Sequence, residues 1–78
     1  MMIVCQFSLY PLRTQQIGEI LEEALQAADA PGLTCQVGAM SSELRGTEDQ
    51  VFTALRAAFH AATVHGEAVL VATVSNAC

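Results

Sequence analysis

The sequence has no tryptophan, no lysine and only four aromatic residues, three Phe and one Tyr. An interior without large rings has to be filled by aliphatic and small side chains at close approach, and these dominate the 53% hydrophobic content. The cations are Arg13, Arg45 and Arg56, and eight acids bring the formal charge to −5. Binding to phosphate backbones needs clustered positive charge, so no nucleic-acid partner is expected. Cysteine is missing from the arrangements that carry chemistry. Cys5, Cys35 and Cys78 are odd in number and fall in no C-x-x-C or Cys/His ligand spacing. Cys5 and Cys35 lie in apolar strand patterns, where a thiol behaves as a small hydrophobe, which points to a reducing compartment and a cytoplasmic location.

Long hydrophobic runs are also absent. The longest, Ala68 to Val74, is interrupted by Thr73 and falls far short of the ~20 residues that span a bilayer. Met1-Met2-Ile3-Val4 lacks a basic region, and Gln6 and Ser8 break the apolar stretch, so the N-terminus reads as a strand and not a signal peptide. No membrane association is expected. Seventy-eight residues form one domain, 1–78, which removes only about 60% of its unfolded surface from water. Its core is marginal alone, and association is a natural way to complete it.

What is present is a clear alternation of elements. Ile3, Cys5, Phe7 and Leu9 alternate with Gln6, Ser8 and Tyr10 as in a half-buried strand, which Pro11 ends. Thr14 is the expected N-cap of a helix with Ile17, Ile20, Leu21, Ala24 and Ala28 on its apolar stripe, stopped by Pro31-Gly32. Gly18 inside it implies either close packing or a weak first turn. Leu33, Cys35, Val37 and Ala39 form the apolar side of a second strand, and a short strand from Ser42 to Arg45 pairs back, closed by Gly46. Thr47-Glu48-Asp49-Gln50 is a capping box opening a helix with Val51, Leu55, Ala58, Phe59 and Ala62 on its stripe and His65-Gly66 at its end. Ala68 to Ser75 is nearly continuous in apolarity, as for a strand covered on both faces.

With right-handed crossovers, this βαββαβ order gives an α+β, ferredoxin-like plait, a four-stranded antiparallel sheet with two helices on one face. The other face should carry Gln6, Ser8, Tyr10, Thr34, Gln36, Glu43 and Arg45, too apolar for a purely solvated surface. A homodimer or homotetramer through that sheet face is expected.

Reactive constellations are few. The acids fall mainly on the exposed stripe of the first helix and the start of the second, as solvated or capping groups. Glu43 and Arg45 share a strand face and suit an ion pair. His60 and His65, five apart on a helix, diverge by more than about 100°, wrong for a shared metal. A metal chaperone of this fold needs a Cys-x-x-Cys where Tyr10-Pro11-Leu12-Arg13 stands, and an acylphosphatase needs a glycine-rich phosphate cradle ahead of Arg13. No catalytic residue, metal site or cofactor is expected, and the chain is not expected to be an enzyme. A polar cluster remains. Gln36, Met40, Ser41 and Ser42 flank Ser8 and Tyr10, and hydroxyls with an amide can recognise a flat heteroaromatic ring edge-on while Met or Tyr covers its face. The same serines also suit a plain turn and exposed edge.

Phe7-Ser8-Leu9-Tyr10-Pro11, Gly38-Ala39-Met40-Ser41-Ser42-Glu43-Leu44-Arg45-Gly46, Val51-Phe52 and Thr73-Val74-Ser75-Asn76-Ala77-Cys78 together resemble the YkoF-like thiamine/hydroxymethylpyrimidine-binding family. The likeness covers nearly the whole chain, most specifically at Phe-Ser-Leu-Tyr-Pro and Leu-Arg-Gly. It implies a ferredoxin-like domain that binds thiamine, or its pyrimidine half, without chemistry, for salvage or transport. Family members are tandem repeats or single domains that assemble, and this chain has the single-domain length. Ser8 and Tyr10 match the first motif, and Ser41 and Ser42 match the small polar pair of the hairpin. A ligand set of Ser8, Tyr10, Gln36, Met40, Ser41 and Ser42 follows. The competing expectation is an oligomeric regulatory module, similar to ACT domains, that senses another small molecule or a protein.

Overall fold

A computed structural model describes residues 1–77; Cys78, the last residue of the C-terminal motif, lies outside the described residues. The elements are β1 (Met2–Pro11), α1 (Ile17–Ala28), β2 (Thr34–Val37), β3 (Ser42–Thr47), α2 (Glu48–Thr63) and β4 (Ala68–Ser75). The strands form one antiparallel sheet in the order β2-β3-β1-β4. This is the ferredoxin-like plait.

Alternation along β1 buries Ile3, Cys5 and Phe7, which meet Leu44 of β3 and the inner faces of the helices. The helix side of the core is mostly small: Ala24 and Ala28 of α1, and Ala54 and Ala58 of α2 with Val51 and Leu55. Alanines let two helices approach closely without large rings, so the shortage of aromatics is matched by a thin, tightly packed helical layer. The capping box forms as its spacing requires. Gln50 N–H donates to Thr47 Oγ1 at 3.2 Å and Thr47 N–H to Gln50 Oε1 at 2.8 Å, with Glu48 and Asp49 in the first turn. Such a cap contributes about 1 kcal/mol.

Four expectations need correction. Thr14 is not the N-cap of α1; Gln16 is, without a side-chain cap, while the Thr14 hydroxyl accepts from Gln16 N–H at 3.0 Å. That local bond closes a tight turn and delays the helix by two residues, so Ile17 stays exposed at its start. Gly18 meets no side chain or backbone that its missing Cβ would touch, so of its two readings the weak first turn holds. The third strand runs on through Gly46 to Thr47, because Ile3 and Met2 of β1 pair with these residues. A Cβ on Gly46 would lie 2.8 Å from Gln50 Oε1 and 3.0 Å from Leu33 Cδ1, so a side chain there would push on the capping box.

The other two corrections concern sheet position. Every residue of β2 is exposed, Cys35 and Val37 included, because β2 is the outermost strand and neither helix packs on it, α1 lying on β1 and α2 on β1, β3 and β4. Its thiol is therefore not a core residue. Strand β4 is likewise at a margin, with Val69, Val71 and Val74 between 39% and 56% exposed, so it is not covered on both faces.

The register defines the open face. Gln6 opposes Glu43 and Thr73, Ser8 opposes Val71, Tyr10 opposes Val69, and Thr34 and Gln36 oppose Arg45 and Glu43. The mixed polar face expected from the sequence is present, with Val4, Val69 and Val71 adding apolar area.

Candidate functional site

Pairing between β1 and β3 stops where Phe7 meets Ser42, whereas pairing between β1 and β4 continues to Pro11. Beyond Phe7, the β3 side of β1 has no neighbouring strand, so main-chain groups that would carry on the ladder border a notch. The 38–41 loop of the β2-β3 hairpin folds against that notch. Gly38 N–H donates to Ser41 O at 2.9 Å, and a Cβ on Gly38 would sit 2.6 Å from the same oxygen, so only glycine fits this turn. Gln6 Nε2 donates to Ser41 Oγ at 2.9 Å, and Ser8 Oγ donates to Met40 O at 3.3 Å. Two side chains of β1 thus hold the loop in place.

Between this loop, β1 and α1 lies a cavity of about 140 Å³. Phe7 and Leu9 of β1, Leu21 and Leu25 of α1, and Val37 of β2 give it an apolar floor and walls. Ser8, Tyr10, Met40, Ser41 and Ser42 also line it, so the structure brings together five of the six residues singled out from the sequence. Ser8 and Tyr10 alternate to the open face and reach the cavity along the edge of β1. Gln36 does not line it; it lies in an adjacent recess with Gln6, Ser41, Ser42 and Glu43. Met40 is 89% and Tyr10 51% exposed, so neither is packed over the cavity.

Among the described residues no charged side chain lines the cavity. Its polar groups are hydroxyls and main-chain amides, an inventory suited to a neutral ring with both donors and acceptors. In the adjacent recess Glu43 accepts from Arg45 Nε at 2.8 Å. Sequence reasoning placed Gln6 on the open face but missed its grip on Ser41, although a period of two already sets it beside Ser8. It also placed Phe7 and Leu21 only on the apolar sides of their elements and did not single out Leu25, since nothing in a helical stripe tells a core wall from a cavity wall.

The reactive groups lie elsewhere. Burial pushes the Cys5 thiol up, and its place at the centre of the core keeps it from the cavity. Burial first and the Asp29 carboxylate second raise Cys35. His65 Nε2 meets Glu23 Oε2 at 2.6 Å, joining the end of α2 to α1, and His60 is exposed on α2. Arg13 pairs with Glu67, tying the loop after β1 to the residue before β4. No group of three or more His, Cys, Asp or Glu that could hold a metal ion occurs among the described residues. Among those residues no helix is long and apolar enough to cross a membrane.

The model of the YKOF-related family matches residues 2–78. No curated protein matches the chain. Among solved structures, a domain of unknown function, DUF77, from Bacillus cereus superposes with a TM-score of 0.83 at 21% identity, over 95% of this chain and 74% of that one. A hypothetical protein from Methanocaldococcus jannascii gives 0.88 at 18% identity, over 99% and 81%. A "putative thiamine biosynthesis/salvage protein" from Thermotoga maritima gives 0.81 at 12% identity, over 96% and 83%. At these identities the likeness is one of fold.

Proposed function

We propose that this chain, which belongs to the YKOF-related family, is a non-catalytic binder of the aminopyrimidine ring of thiamine or of free hydroxymethylpyrimidine. The observation that carries the reading is the cavity of about 140 Å³ with an apolar floor and a rim of hydroxyls. A dry cavity of ~150 Å³ in another protein accommodates benzene, so a space of this size suits one six-membered ring and not two. The likeness in fold to a protein described in terms of thiamine biosynthesis or salvage agrees with it.

In this reading Phe7 and Leu9 lie against the ring, and Ser8, Ser41 and Ser42 bond its nitrogens and amino group with help from the free edge of β1. Tyr10 and Met40, both exposed without ligand, close over it. The positively charged second ring of thiamine extends toward the recess that holds Gln36 and Glu43. The chain works in the cytoplasm, where its unpaired thiols stay reduced, and it associates through the open sheet face as a homodimer or homotetramer. Its task is salvage or transport of the ring without chemical change.

Calorimetric titrations with hydroxymethylpyrimidine, thiamine and the isolated thiazole half test the reading. The first two should saturate and the third should not. Absence of saturable heat with both pyrimidine compounds, or equal binding of the thiazole, overturns it.

A further inference from the structure

We propose that Glu43 is the specificity-determining residue of this site: its carboxylate admits the cationic half of thiamine and turns away the phosphate esters of the same compound. The inference rests on the proposed reading of the cavity and adds which form of the ligand is taken. A space of about 140 Å³ is filled by one ring, so the rest of a longer ligand has to leave it. Beside it lies the recess of about 230 Å³, and the two have Val37, Gly38, Ser41 and Ser42 as a common border. A two-ring ligand that leaves the cavity along the hairpin enters this recess.

Among the described residues Glu43 is the one charged side chain that lines the recess. The register sets it between two amides, Gln36 of β2 on one side and Gln6 of β1 on the other, and side chains paired in this way share a sheet face. Amides do not neutralise a carboxylate, and Gln6 is already committed to Ser41 Oγ. Arg45 Nε holds Glu43 Oε1 at 2.8 Å, but the two side chains are 57% and 38% exposed, so water screens the pair. Arg45 does not line the recess, and Glu43 Oε2 has no hydrogen-bond partner among the described residues. One free carboxylate oxygen among neutral amides and hydroxyls is a setting for a cation.

No grip for a phosphate accompanies it. The chain has no lysine, Arg13 is paired with Glu67, Arg45 is paired with Glu43 itself, and Arg56 lies on α2 between Phe52 and Phe59. A phosphate monoester carries about −1.5 to −2 charge near neutral pH, which turns cationic thiamine into a net anion. Thiamine therefore brings the opposite charge to Glu43. Its monophosphate brings like charge to the same carboxylate, in a chain whose formal charge is already −5.

Calorimetric titration of the full chain with hydroxymethylpyrimidine, thiamine and thiamine monophosphate tests the inference. The wild type should prefer thiamine to its monophosphate by more than about tenfold, or ~1.4 kcal/mol, and added salt should narrow the preference. Glu43→Gln should bring the ratio of the two affinities toward one. Arg45→Gln, which strips the carboxylate of its counter-charge, should raise that ratio, and general damage to the hairpin would not move the two variants in opposite directions. If hydroxymethylpyrimidine does not saturate, the reading of the cavity falls and this inference with it. If it saturates while thiamine and its monophosphate bind alike, or the ratio is unchanged in a folded Glu43→Gln chain, the inference alone is overturned. Tighter binding of the monophosphate would also overturn it.

Discussion

Cys35 shows how a single residue takes its chemistry from its position. It stands on an exposed strand, yet partial burial of its thiol and the nearby Asp29 carboxylate both raise its pKa above the ordinary 9.0. The thiolate is the reacting species, so at about pH 8 Cys35 should alkylate more slowly than an unperturbed thiol. Asp29→Asn removes a negative charge, lowers the pKa and should accelerate the reaction, with the two rates converging once the pH exceeds both pKa values. Site-resolved mass spectrometry follows Cys35 apart from Cys5 and Cys78. An unchanged or slower rate in the variant would remove the electrostatic explanation. Gly38 is the equivalent case in the candidate site. Its Cβ would lie 2.6 Å from Ser41 O, so Gly38→Ala must displace the loop carrying Met40 and Ser41. The displaced loop carries Ser41 out of its place at the cavity and should weaken pyrimidine binding by roughly tenfold or more, or ~1.4 kcal/mol. Because Gly38 is exposed and outside the core, the melting temperature should change much less. Calorimetry and a thermal melt separate the two effects.

At the scale of elements, the two helices begin in opposite ways. The start of α2 is secured by the Thr47/Gln50 capping box, while α1 begins at Gln16 without a side-chain cap and carries Gly18 in its first turn. Gly18→Ala meets open space and should stabilise the fold by about 0.5–1 kcal/mol, whereas Thr47→Ala should cost about 1 kcal/mol. Urea unfolding measures both, and a destabilising Gly18→Ala would show that the turn needs glycine after all. The contrast also explains what could be read in advance. All six elements and the capping box were legible, because period and capping chemistry act within a few residues. The hydroxyls around the cavity were legible for the same reason, as turn and strand residues of β1 and the hairpin. The exposure of Cys35 and of β4 was not legible, since it depends on which strands end up at the sheet margins. The extension of β3 through Gly46 was hidden too, because its pairing with Ile3 is made across more than forty residues. The wall at Leu21 could not be told from core, since an apolar stripe looks the same against a neighbour and against a void, and Leu25 stood outside the stripe read from the sequence.

For the whole molecule, the balance is between a small core and a large apolar surface. The fully buried side chains are few and mostly small, while Val69, Val71, Phe52, Phe59 and Tyr10 remain well exposed. On the proposed association, its melting temperature should rise with protein concentration as mass action requires, and a constant value would contradict an assembled native state. The apolar surface and the cavity are distinct features. The first concerns β4, α2 and the open face; the second is bordered by β1, α1 and the hairpin loop. A nitrogen-15 correlation spectrum recorded during titration with hydroxymethylpyrimidine tests the binding account most directly. The account predicts saturable shifts centred on Leu9, Gly38, Ser41 and Ser42, with the ligand recovered unaltered. No shifts, shifts confined to residues away from that cavity, or conversion of the ligand to a new compound would contradict it.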